Sequence, residues 1–146
     1  MRVFLAMAAL FLSSCSETET LRVRQFHLRD TKVADGNEFI RSEMNKRLHG
    51  AVNLEERNAR KGQYYNVSWH GLSGTHPVKM LFEYRQASSG AAIRKIEKTV
   101  SASKDGKMEI RVTGDAYQKG GRVVSWRLSL YDGREVVAQK KSYLWD

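Results

Sequence analysis

From Gly62 onward, apolar side chains recur at every second position, the period of a strand that buries one face and wets the other. "QYYNVSW" puts Tyr65, Val67 and Trp69 on one side, and "VKMLFEYRQ" sets Val78, Met80, Phe82 and Tyr84 against Lys79, Glu83 and Arg85. "AIRKIEKTV" alternates Ile96 and Val100 with Glu97 and Thr99. "KMEIRVTG" alternates Met108, Ile110 and Val112 with Lys107, Glu109 and Arg111, and "RVVSWRLSLY" turns Val124, Trp126, Leu128 and Leu130 inward. Turn residues punctuate these runs. Asp132-Gly133 reads as a hairpin and "KDGK" (residues 104–107) as a second, with "LSGTHP" and "QKGGR" as further reversals.

Upstream of Gly62 the pattern changes. "LRVRQFHL" alternates loosely, with Leu21, Val23, Gln25 and His27 opposite Arg22, Arg24, Phe26 and Leu28, and predicts a first strand. Over residues 38–61, Ile40, Met44, Leu48 and Val52 recur every four residues, as along a helix, with Gly50 interrupting the stripe. Asn53 followed by Glu56 is a capping-box pattern for a second short helix. Arg60 and Lys61 sit near its negative end, and Gly62 is its expected stop.

Strands joined by turns, without the long helices that parallel crossovers need, point to a mainly β, antiparallel fold. About seven strands with one or two short N-terminal helices fit a β-sandwich, and inward Trp69 and Trp126 suit its thick core. In strand rhythm, residues 62–146 resemble the small immunoglobulin-like domains carried by many envelope lipoproteins, without the inter-sheet disulfide of antibody-type domains. A small up-and-down barrel gives nearly the same pattern. The expected organisation is a single β-rich domain over residues 21–146, with the helical excursion at about 38–61.

What precedes residue 21 gives an address. Residues 3–12 are apolar, but ten helical residues reach only about 15 Å, half of a bilayer core of about 30 Å. With Arg2 in front and small residues behind, the run fits a signal-peptide core. It ends in Leu12-Ser13-Ser14-Cys15, which holds the only cysteine in the chain and resembles the lipobox of bacterial lipoproteins. That resemblance implies removal of residues 1–14, diacylglycerol on the Cys15 sulfur, and a lipidated tether over 15–20. Two or more acyl chains anchor stably. Ser16, where Asp would otherwise retain the protein, resembles sorting to the outer membrane.

Removing fourteen residues from 146 leaves 132, one domain's worth of chain. The net charge of +9 falls to +8 with the loss of Arg2. Such a balance suggests nucleic acid, but export excludes that partner and leaves anionic head groups or acidic envelope polymers. The basic residues are scattered (Arg29, Lys46, Arg60, Arg94, Lys107, Arg122, Lys140) and often have acidic neighbours, as on a solvated surface.

Chemistry is sparsely signalled. His70 and His76 share a loop, yet zinc needs three or four ligands and no Asp, Glu or Cys joins them there. There is no Gly-x-Ser-x-Gly elbow or phosphate loop. Glu83 and Glu97 alternate with Lys and Arg, which favours a cross-strand salt-bridge face over a catalytic pair. No catalytic residue, metal site or cofactor is therefore assigned. Tyr64, Tyr131 and Tyr143, if they face outward together, could form a stacking surface for sugar rings or a protein. The expectation is a non-enzymatic envelope lipoprotein, held to the membrane through Cys15 and facing the periplasm, that binds an envelope protein or acidic polymer. The alternative is an envelope hydrolase or metal-dependent enzyme gathering His70, His76 and an acidic residue.

Overall fold

Each alternating run becomes a strand. The computed structural model describes residues 19–29 and 37–146. Its elements in order are β1 (Leu21–Leu28), α1 (Glu38–Leu48), α2 (Leu54–Arg60), β2 (Gly62–Trp69), β3 (Val78–Gln86), β4 (Arg94–Val100), β5 (Gly106–Thr113), α3 (Gly114–Gly120), β6 (Val123–Asp132) and β7 (Glu135–Lys141). All pairings are antiparallel, in a three-stranded sheet β1-β2-β5 and a four-stranded sheet β4-β3-β6-β7. The chain changes sheet between β2 and β3, β4 and β5, and β5 and β6, so the architecture is a sandwich and not an up-and-down barrel. It departs from the constant-type immunoglobulin order, ABED against CFG, in one strand. The fourth lies beside the third, at the edge of the larger sheet.

The inward sets are largely those of the alternation. Tyr65, Val67, Trp69, Met80, Phe82, Ile110, Val112, Leu128 and Leu130 are all buried between the sheets. At the centre, the Tyr65 ring lies 4.6 Å from Phe82 and 5.6 Å from Trp126, centroid to centroid, in tilted and edge-on contact. Gly106 pairs with Trp69, and a Cβ there would stand 2.1 Å from an indole carbon. The glycine makes room for the ring. At the start of β6 a bulge skips Val124, so Val123 enters the core in place of the expected Val124.

The last hairpin forms as expected, with its loop one residue further on, and one other turn differs. Asp132 pairs with Glu135, leaving Gly133-Arg134 as the loop; Gly133 has φ +65°, as the first loop position of a II′ hairpin requires. "KDGK" does not close a hairpin, because β4 and β5 lie in different sheets. It arches between them, tied to the β2–β3 loop: the Leu72 amide donates to the Lys104 carbonyl and the Gly71 amide to the Asp105 carboxylate, both at 3.0 Å.

Both N-terminal helices form, and the Asn53/Glu56 capping box is closed in both directions. Gly62 is not the helix stop but the first, buried residue of β2. The apolar stripe of α1 faces the protein only in part: Met44 and Leu48 are half-buried, Ile40 is exposed, and so is Val52, which lies outside both helices. The residue that α1 buries is Arg47. A third helix, α3, was not signalled, since seven residues with glycine at each end carry no periodic stripe.

The seams between the sheets are closed by lysines. Lys98 on edge strand β4 stands opposite inward Met80 and donates to the Glu109 carbonyl of β5 at 3.1 Å. Lys140 on edge strand β7 stands opposite inward Leu128 and bonds the Glu19 carboxylate just ahead of β1. Inward-pointing charge is a recognised protection of sheet edges.

Candidate functional site

Cys15 lies outside the described residues, as does everything before Glu19. The structure brings none of the three candidate tyrosines together. Tyr64 is on the outward face of β2 but only 4% exposed, because α1 lays Arg47 across its ring at 4.1 Å. Burial raises its hydroxyl pKa, partly offset by Arg47 and Arg111. Tyr131 lies on β6 of the other sheet, under the Lys79 ammonium at 4.9 Å. Tyr143, past the end of β7, is 99% exposed. A common stacking surface is therefore ruled out by their placement on different sheets and at different depths.

The histidines part as well. His70 Nδ1 faces Asp105 at 3.4 Å in the β4–β5 arch, and His76 Nδ1 faces Asp132 at 3.6 Å beside the last hairpin. Hydrogen bonds from Ser73, side chain and backbone, are the main cause holding the Asp132 carboxyl below its ordinary pKa. Among the described residues, no three His, Cys, Asp or Glu side chains gather as a metal site would need. A cleft of about 580 Å³ lies between α2 and α3, lined by residues such as Glu55, Asn58, Asp115 and Gln118, and includes neither histidine.

Glu83 does form the cross-strand salt-bridge face. It stands directly opposite Lys95 on one side and Arg127 on the other, with contacts of 3.6 Å to Lys95 Nζ and 2.5 Å to Arg127 Nη2. Glu97 pairs in register with Leu81 and takes no part. Next to this ladder the C-terminal turn folds back, burying Trp145 with the Arg85 and Arg127 guanidinium groups 4.5 and 5.2 Å from its ring.

The densest polar cluster in the described chain sits where α1 meets the outer surface of the smaller sheet. Arg47 is clasped between Phe26, at 5.1 Å, and Tyr64. It pairs with Glu109 at 2.5 Å and with Glu43, one turn back on its own helix, at 3.0 Å. Arg111 takes the other oxygen of Glu109 at 2.7 Å. Burial pushes the Glu109 carboxyl up, but the hydrogen bonds from Arg47 and Arg111 outweigh it and hold the group below its ordinary pKa. The sequence signal for this was thin: the Glu43–Arg47 spacing of four fits a surface pair equally well.

Among the described residues, nothing covers the same outer surface beyond the reach of the helices. Register places Arg22, Ser68 and Lys107 in one row and Arg24, Asn66 and Glu109 in the next, followed by Phe26, Tyr64 and Arg111. Arg22, Arg24, Lys107 and Arg111 are exposed. Glu109, the one carboxylate on the three strands, is already engaged by two arginines. Neighbouring residues on this surface come from distant parts of the chain, so the sequence reads them as scattered.

Sheet order and site together define the class as an antiparallel β-sandwich with a helical cover on one outer face. No family model, no curated protein and no solved structure matches the chain.

Proposed function

We propose that this chain is a membrane-anchored lipoprotein of the bacterial cell envelope, whose sandwich is a non-enzymatic binding or structural module facing the periplasm. The observation that carries the reading is Leu12-Ser13-Ser14-Cys15, a lipobox-like end to a short apolar run, built around the sole cysteine. A thiol-free domain suits an exported module stabilised by packing alone. The tether after Cys15 is short and polar, so the sandwich stays within reach of the lipid surface.

Mass spectrometry of the protein recovered from cells tests this reading. Expected are a cleaved leader, a new N-terminus at Cys15 bearing acyl chains, and partition of the protein with membranes. Cys15→Ala should block processing or release the protein from the membrane fraction. A bare Cys15 sulfur in fully processed, soluble protein would refute it.

A further inference from the structure

We infer that the uncovered outer face of the three-stranded sheet docks flat on an anionic lipid surface, with Arg22, Arg24 and Lys107 as its contacts. This rests on the anchored reading proposed above and deepens it by naming the side of the sandwich that meets the membrane. Three features of the molecule converge on it. The face carries exposed cations on both of its outer strands, about 10 Å apart across β2; the one carboxylate on its strands is consumed by Arg47 and Arg111, and Glu19, just ahead of β1, stands 3.8 Å from Arg22 but is shared with Lys140. It is polar, with Ser68 and Asn66 between the cations and no large exposed apolar side chain on its strands. And β1 begins six residues after Cys15, so a chain held there delivers Arg22 and Arg24 to the head groups before any other part of the domain.

A tether that short raises the local concentration of lipid charge, so weak contacts suffice. Each juxtamembrane cation is worth about fivefold in partition, which makes about a hundredfold for three at low salt. On the outer side of the larger sheet the cations are more fully engaged: Lys95 and Arg127 share Glu83, Arg85 is spent on Trp145 and Lys79 on the Tyr131 ring, with Glu97 on the same side, which leaves Lys141.

Vesicle flotation of the chain from residue 15, carrying Cys15→Ser and so unlipidated, tests the face separately from the anchor. That chain holds every packing contact described above. Vesicles of about one quarter phosphatidylglycerol in phosphatidylcholine should retain it at about 0.05 M salt and release it at about 0.3 M, as screening shortens the field. The R22Q/R24Q/K107Q variant should lose about a hundredfold in partition with its thermal melt unchanged. A K79Q/R134Q/K141Q variant, equal in charge but altered on the larger sheet and its hairpin, should lose no more than about threefold. Equal losses for the two variants would overturn the inference, as would equal retention on pure phosphatidylcholine. So would equal competition by soluble polyglutamate, which would assign the face to an acidic polymer. Should mass spectrometry show Cys15 bare while flotation succeeds, the anchor fails and the lipid-binding face stands.

Discussion

Replacing Arg47 with alanine tests how the helical excursion is held. Breaking a buried ion pair by removing one partner costs about 3–5 kcal/mol when the other charge is stranded. Here Glu109 keeps Arg111 and its side chain is 21% exposed, so about 2 kcal/mol is the better figure. Loss of the guanidinium from the Phe26 and Tyr64 rings adds about 0.5 kcal/mol for each contact. The total is about 3 kcal/mol, or a fall of about 10 °C in Tm for a domain of this size. Arg47→Lys keeps the charge but loses the planar stack and the forked pairing, and should cost about 1–2 kcal/mol. Urea unfolding at neutral pH measures both. A double-mutant cycle with Glu109→Gln should give a coupling of about 1–2 kcal/mol. The pH dependence has a definite sign. The folded Glu109 pKa lies below its ordinary value of 4.5, so its contribution is present above that value and is lost as pH falls through the folded pKa. The wild-type advantage over Arg47→Ala should therefore narrow below about pH 4.5. An Arg47→Ala cost under about 0.5 kcal/mol, or an Arg47→Lys protein as stable as the wild type, would refute the argument.

Three further outcomes are expected. Gly106→Ala should destabilise by at least about 2 kcal/mol, since its Cβ would displace the Trp69 indole from a packed site; chemical denaturation checks it. Trp145→Ala should cost about 2–3 kcal/mol and free Arg85 and Arg127 from their stacking partner, read by thermal melting. His27 donates or accepts a hydrogen bond with Tyr117 at 2.6 Å, and burial, aided by Arg29 and Arg122, lowers its pKa from 6.5. The unfolded chain thus binds a proton more readily than the folded one, so part of the stability present above pH 6.5 is lost as pH falls through that value. His27→Gln should flatten the change in Tm between pH 7.5 and about pH 5.5 relative to wild type.

Periodicity made the strands legible, because one buried face imposes the alternation of Val78, Met80, Phe82 and Tyr84 whatever the partner strand is. Local capping chemistry did the same for α2, since Asn53 and Glu56 need only each other. Sheet membership was harder to read: Asp105-Gly106 reverses the chain equally well in a hairpin and in an arch between sheets. Burial on the outer face was hidden too. Tyr64 and Arg47 each look like surface residues in sequence, and only the meeting of α1 with β2 removes both from water. The bulge at Val124 left the alternating run intact to the eye while shifting which valine faces inward. The candidate surface fared worst, because Tyr64, Tyr131 and Tyr143 share strand ends in sequence but not a face in space.

Lys98 and Lys140 have a consequence for how the molecule tolerates company. A foreign strand that zips along β4 or β7 must strip water from an ammonium group, a penalty of several kcal/mol. Each new ladder bond returns only about 0.5–1.5 kcal/mol net. Growth by strand addition stalls at those two borders, so copies crowded side by side run a lower risk of fusing into fibrils than an open sandwich otherwise would.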